Sequence, residues 1–359
     1  MKKTKVFLGG YVTSVNAQNL NCRALAKHLD KENFDVYTLE TFSGKLNHSG
    51  LEEVHIFRCF KPHRLSRYIG YLWGLFHCDV AYLPKRDATG WNRFLLKLFG
   101  KKSFTTVEGI YDDKRIEEIT KDLGITREEF FGFYGMFDRV YSITKFLRDY
   151  NFKHQGIKSE EEILYLGTDI ETFLDENKTI ESLQNIILIG NDLIRKGIYD
   201  YLELAEKFPS INFHVVGSGN GKIDMNEILK NRKTGNIVYH GAKSHEELKE
   251  LLKQIDLHIL PSRSEGFPKV TLETAAAGVP SLLYSDYGAD EWIRHDVEGF
   301  VVDTLEEMAQ VIRNLMHDPD QLKAVAQNAV IMAKRFDWNV VINDWEKVIL
   351  ELAGKKPHA

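Results

Sequence analysis

Long apolar runs are missing from this 359-residue chain. No stretch reaches the eighteen or more apolar residues that a membrane-spanning helix needs, so no span is expected. Cysteine is scarce: Cys22, Cys59 and Cys78 are odd in number and widely spaced. That excludes a disulfide framework and points to reduced thiols in a cytosolic compartment. None of the three stands at a metal-ligand spacing. No secretory leader is expected either. The start, MKKTKVFLGG, pairs lysines with a short apolar run, but Tyr11 to Asn21 is too polar to extend it and no cleavage site follows. Neither an internal repeat of about twenty to fifty residues nor a low-complexity tract is visible, which excludes solenoids and propellers.

What is present is the composition of a soluble globular protein, 43% hydrophobic and 11% aromatic. The length is too great for one core, so two domains are expected. The net charge of −5 is unevenly spread. Residues 1–103 hold 17 Lys or Arg against 8 Asp or Glu, a net +9, and the remainder holds 30 against 44, a net −14. A basic leading part suggests an anionic partner. Within it, RCFKPHRLSRYIGYLWGLF (58–76) sets Arg58, Lys61, Arg64 and Arg67 beside Tyr68, Ile69, Tyr71, Leu72, Trp73, Leu75 and Phe76. Cations next to aromatic and aliphatic groups suit an anionic membrane surface. The apolar part, 69–76, is nevertheless read as a buried helix. The basic part stays open between solvent and membrane. WNRFLLKLFGKK (91–102) repeats the pattern. No recognition motif accompanies this charge, so nucleic acid is not expected as a partner.

The most informative stretch is LPSRSEGFPKVTLETAAAGVPSLLYS, 260–285. An apolar run over 255–260 predicts a strand. A polar loop follows, then a helix from near Pro268 to Ala277, stopped by Gly278 with Pro280 beyond, then a strand over 281–284. Such a loop lies at the carboxyl end of a parallel sheet, where open α/β sheets bind ligands. A helix N-terminus offers unpaired N–H groups and a partial positive charge, both suited to phosphate. Gly266 lets the backbone approach closely. Glu265 and Glu273 flank the loop, and carboxylates prefer neutral hydroxyls, as on a sugar or ribose. The pattern taken alone is equally that of an ordinary helix with an acidic first turn.

SEGFPKVTLETAAAGVP resembles the Glu–seven residues–Glu signature of retaining glycosyltransferases of family 4, the group 1 glycosyltransferases with the GT-B fold. The resemblance implies an α/β protein of two doubly wound Rossmann-like domains facing across a cleft. It covers 185–352 clearly and earlier residues in topology alone. The expected first domain, 1–170, binds the acceptor, and helix 338–352 packs back on it. The second, 171–337, binds a nucleotide-sugar donor. By resemblance Glu265 contacts hydroxyls of the donor sugar, and Gly266, Phe267 and Pro268, followed by Lys269, lie along the diphosphate and sugar. Glu273 holds the ribose.

NIILIGNDLIRKG resembles the family's Gly-Arg-Leu…Lys-Gly motif, whose two basic residues face the diphosphate. Lys196 matches; the Arg position is Asn191. Arg195 stands beside Lys196 but is not assumed to compensate. Gly217, in Gly217-Ser218-Gly219, allows another close backbone approach, and His240 and Gly241 fall, by resemblance, near the base. His240 alone reads as structural. In the first domain Gly9 and Gly10 read as a turn after a strand over 5–8, near the acceptor by resemblance. Glu108 stands where the family has a His bordering the donor sugar, and it serves either to meet an acceptor hydroxyl or amine or as a surface carboxylate. Residues 171–184 read as the interdomain linker and 354–359 as a disordered tail.

The expected function is a retaining, metal-independent glycosyltransferase with Glu265 and Lys196 as catalytic candidates. It moves a sugar from a UDP- or GDP-linked donor to a glycan or lipid-linked acceptor in cell-surface polysaccharide, lipopolysaccharide or glycolipid synthesis, in the cytoplasm or peripherally on the inner membrane face. No cofactor is implied, the nucleotide sugar being substrate, and no acidic motif for Mg²⁺ is evident. A nucleotide-sugar epimerase of the same fold and a non-catalytic nucleotide- or glycan-binding subunit are the alternatives.

Overall fold

The computed structural model describes residues 2–13, 17–42, 49–84, 90–230 and 235–355. It divides into two compact units, Met1–Leu166 with Trp338–Ala359, and Gly167–Asp337. The first unit holds strands β1 (Thr4–Tyr11), β2 (Phe34–Glu40), β3 (His55–Arg58), β4 (Val80–Tyr82), β5 (Lys102–Val107) and β6 (Arg139–Ser142). The second holds β7 (Asn185–Ile189), β8 (Asn212–Val216), β9 (Ile237–Tyr239), β10 (Leu257–Leu260), β11 (Ser281–Tyr284) and β12 (Gly299–Val302). The strands are short apolar runs rather than alternating ones, because helices cover both faces of each sheet. All of Leu257–Leu260 and Ser281–Tyr284 is buried.

Each sheet is parallel and six-stranded, in the order β3-β2-β1-β4-β5-β6 and β12-β11-β10-β7-β8-β9. The first strand of each unit is therefore central. Connections diverge on either side of it, between β1 and β4 and between β7 and β10, and crevices open at the carboxyl ends of such strand pairs. This is the doubly wound α/β architecture expected from the sequence.

Helix Trp338–Leu352 belongs to the first unit. Its stripe of Val341, Trp345 and Val348 is buried. The Trp345 indole N–H donates to the carbonyl of Tyr165 at 2.9 Å, and its ring meets that of Tyr82 edge-on, centroids 5.5 Å apart.

Four local expectations are corrected. Gly9 and Gly10 are not a turn but lie within β1, at a shift in its register against β2. Their need for glycine is steric. A Cβ on Gly9 would stand 2.6 Å from Leu83 Cδ2, and one on Gly10 2.7 Å from Cys22 Sγ. Residues 171–184 are not a free linker: Ile180 and Leu183 join the core of the second unit, and Lys178 Nζ donates to the carbonyls of Leu252 and Ile255. Hydrophobic burial outweighs the segment's polar composition. Gly354 and Lys355 are hydrogen-bonded, Lys355 Nζ donating to Lys2 O at 3.0 Å; the rest of the expected tail lies outside the described residues.

The fourth correction concerns helix His63–His77. It buries Ser66, Gly70, Tyr71, Gly74 and Leu75, not the larger apolar face. The inward residues are small because the sheet comes close: a Cβ on Gly74 would lie 2.3 Å from Phe7 Cε2. Leu65, Tyr68, Ile69, Leu72 and Phe76 are left exposed.

Candidate functional site

The residues singled out in the second unit converge at the carboxyl ends of β7, β8 and β10. After β7 the chain turns through 190–197 into helix Ile198–Lys207. After β10 it runs through 261–268 into helix Lys269–Ala276. The two loops touch through Gly197, whose φ of +81° belongs to the left-handed region; a Cβ there would lie 2.0 Å from the Pro261 carbonyl oxygen. Gly217, after β8, sits as close to Gly190, and its N–H donates to Gly241 O at 2.9 Å. The loops of three neighbouring strands are thus stitched together through backbone.

Lys196 Nζ donates to Glu265 Oε1 at 2.8 Å, and Arg195 Nη1 stands 2.9 Å from Glu265 Oε2 and donates to Ser264 O at 3.0 Å. Lys196 and Glu265 are buried, while Arg195 is exposed. Burial pulls the Lys196 ammonium below the ordinary lysine value against the opposing pull of Glu265. For Glu265 burial pushes upward, but Lys196 and Arg195 together outweigh it and hold the carboxyl below the ordinary glutamate range. Glu265 is therefore ionised at neutral pH, and the basic groups of Lys196 and Arg195 both meet its carboxylate. The reservation about Arg195 is corrected: its guanidinium turns into the site.

Pro268 caps helix Lys269–Ala276 without a side-chain hydrogen bond. The first turn of a helix leaves N–H groups without intrahelical partners, directed along the axis toward its N-terminus, which here follows the Glu265 loop. Phe267 is buried, its ring edge-on to Trp292 with centroids 4.9 Å apart. Gly266 and Lys269 are partly exposed. Glu273, partly buried on the same helix, has its carboxyl raised by burial, with His245, Lys269 and Lys196 near enough to oppose. Asn191 is exposed just past β7.

His240, just past β9, is half-buried. It stacks on His214, interplanar angle 7°, with Nε2 2.9 Å from His214 Nδ1. In the first unit Glu108 is not a free surface carboxylate: Oε1 accepts from Asn21 Nδ2 at 3.0 Å, Tyr82 Oη at 3.1 Å and Thr106 Oγ1 at 2.8 Å. Among the described residues no group of three or more His, Cys, Asp or Glu is arranged to hold a metal ion.

Sequence reasoning missed His258 on β10, wholly buried with Nδ1 2.9 Å from Ser281 Oγ. Nothing in an apolar strand pattern marks it. Burial, helped by the Lys196 charge, drops its pKa to about 3, and burial drops His214 to about 4. An unfolded histidine titrates near 6.5. Below about 6.5 the unfolded chain takes up protons that these folded histidines refuse, so stability falls as pH drops from there towards 4 and 3. Thermal melting across pH 7.5 to 4.5 should show this, and His258→Gln should flatten the slope; an unchanged slope would remove His258 from the account.

Solved structures share this architecture. A glycosyltransferase from Rickettsia africae superposes with TM-score 0.76 at 16% identity, covering 98% of this chain and 99% of that one. HepE of Anabaena, solved in complex with UDP-glucose, gives TM-score 0.75 at 15% identity, again 98% and 99%. These likenesses show the fold, that of GT-B glycosyltransferases. Among curated relatives, alpha-galactosylglucosyldiacylglycerol synthase of Streptococcus pneumoniae is 31% identical over 193 residues, 52% of this chain and 49% of that protein. The N,N'-diacetylbacillosaminyl-diphospho-undecaprenol alpha-1,3-N-acetylgalactosaminyltransferase of Campylobacter jejuni is 27% identical over 188 residues, 52% and 49%. The chain spans about half the length of these relatives. Residues 169–331, which carry nearly the whole of the second unit and every residue of that unit singled out above, match the family model of glycosyl transferases group 1.

Proposed function

We propose that this chain is a retaining glycosyltransferase that takes a hexose from a UDP- or GDP-linked donor, without a metal ion, and passes it to a glycan or lipid-linked acceptor in cell-surface polysaccharide or glycolipid synthesis on the cytoplasmic side of the membrane. The observation that carries the reading is the meeting of Arg195 and Lys196 on buried Glu265, beside a helix N-terminus with no side-chain cap.

A diphosphate entering here meets two cations and a set of backbone N–H groups, an arrangement that stabilises the negative charge appearing as the leaving group departs. Arg195 takes over the second cationic place that Asn191 leaves vacant, adding a fork of donors to the point charge of Lys196. As the diphosphate draws the cations, Glu265 is released to accept from sugar hydroxyls, and Glu273, about one turn along the helix, accepts from the ribose. The bond from anomeric carbon to diphosphate oxygen breaks while the acceptor oxygen bonds the same carbon from the same face. The acceptor proton passes to the departing diphosphate, so no protein base is assigned. Glu108, held on one oxygen by three donors, is a fixed carboxylate suited to an acceptor hydroxyl or amine. The two relatives whose names contain a diacylglycerol and a diphospho-undecaprenol support a lipid-bearing acceptor.

The test is release of nucleoside diphosphate from a panel of sugar nucleotides, with and without acceptors. Isomerised sugar in the absence of acceptor would favour epimerisation instead, and binding without turnover a non-catalytic role. Glu273→Ala should weaken donor binding by about tenfold or more, the loss of a charged hydrogen bond left unmade. Isothermal titration with the donor measures it, and unchanged affinity would end the ribose assignment.

A further inference from the structure

We propose that the outer face of helices His63–His77 and Gly90–Leu98 is a docking surface for an anionic lipid bilayer, entered by apolar side chains and held by the cations around them. On the first helix Leu65, Tyr68, Ile69, Leu72 and Phe76 are 53%, 62%, 40%, 44% and 66% exposed. Their spacing of three and four residues puts them on one stripe. On the second helix Phe94 and Leu98 are exposed, and the rings of Phe76 and Phe99 meet edge-on with centroids 6.1 Å apart, joining the two helices into one face. Scattered single apolar residues on a surface need no explanation, but a continuous stripe of this kind does.

The occupant is argued from charge. Arg58, Lys61, Arg64 and Lys97 are exposed around the stripe. Residues 58–84 and 90–102 together hold eight Lys or Arg and a single acidic residue, Asp79. A second copy seated on this face would press cation against cation. An anionic headgroup layer matches the cations, and its acyl boundary takes the apolar stripe. No helix among the described residues is long and apolar enough to cross a membrane, so the face lies on the bilayer rather than in it. Vesicle binding needs neither donor nor acceptor, so this surface stands or falls apart from the transferase reading.

The test is co-sedimentation of the whole chain with phosphatidylglycerol vesicles and, separately, with phosphatidylcholine vesicles. Partition into the anionic vesicles at low salt should exceed that into the neutral ones by about tenfold or more, and should fall as salt rises. Leu72→Ser/Phe76→Ser should reduce it by about tenfold, and Arg64→Gln/Lys97→Gln by a similar factor. All four side chains are exposed, so the variants should keep the parent's melting temperature and circular dichroism. Absence of binding at low salt would overturn the proposal. Binding that responds to salt and to the cation variant but not to the apolar variant would overturn insertion. Self-association without lipid, abolished by Leu72→Ser/Phe76→Ser, would reassign the face to a second copy of the chain.

Discussion

Lys196→Met should lower turnover by about 10²–10³-fold, the usual consequence of removing one donor aimed at charge that develops during reaction. It should also destabilise the second unit by about 3 kcal/mol, because Glu265 stays buried with half of its compensation gone. For a unit of this size that is a fall of roughly 6–12 °C in melting temperature. The two effects separate in a double variant. Lys196→Met/Glu265→Gln removes the uncompensated charge, so stability should largely return while turnover stays low. Nucleoside diphosphate affinity should drop in both variants, whereas nucleoside affinity should hold. If Lys196→Met bound the diphosphate as tightly as the parent, the phosphate site would have to lie elsewhere.

Gly197→Ala should be nearly as damaging, although it removes nothing. The residue's φ of +81° is costly for alanine, and the new methyl carbon would lie 2.0 Å from the Pro261 carbonyl oxygen. Backbone on both sides must move apart. That shifts Lys196, the residue before it, off Glu265, and opens the junction between the loops after β7 and β10. A loss of about 3 kcal/mol or more is expected, beyond an ordinary overpacked methyl because the clash is with backbone. Thermal melting and donor titration should fall together. A variant with normal melting and tenfold weaker binding would mean that the loops adapt and only the site is disturbed. Normal values of both would show that the contact is not needed.

The loop and helix that carry Glu265 and Glu273 were legible from residues because their pattern is local. Strand, loop, helix cap and terminating glycine follow one another over 255–284, and each obeys a short-range rule. Arg195 was not legible. Adjacent residues in a loop share no periodicity, and only the path of the backbone sends both cations onto Glu265. Glu108 shows the same limit, since its three donors come from positions 21, 82 and 106. Gly9 and Gly10 look like a turn in sequence, and their strand conformation depends on Leu83 and Cys22 pressing against them. Helix His63–His77 illustrates a different failure. Its periodicity gives the phase of an apolar stripe but not which side is covered. The discriminating signal is the buried small-residue row Ser66, Gly70 and Gly74: a Cβ on Gly70 would crowd Phe57 and Leu39, and one on Gly74 would crowd Phe7.

The parts of the first unit lie far apart along the chain. Its six strands are complete by Ser142, yet Trp345, which seals them against Tyr82 and Phe104, comes only after the whole of the second unit. During synthesis at about 5–20 residues per second, the 203 residues from Ser142 to Trp345 mean a wait of ~10–40 s. Over that interval the nascent first sheet stands with an uncovered apolar seam, while the second unit can already close. The first unit is thus the last to be finished, and a chain truncated before residue 338 would lack the helix that covers this seam.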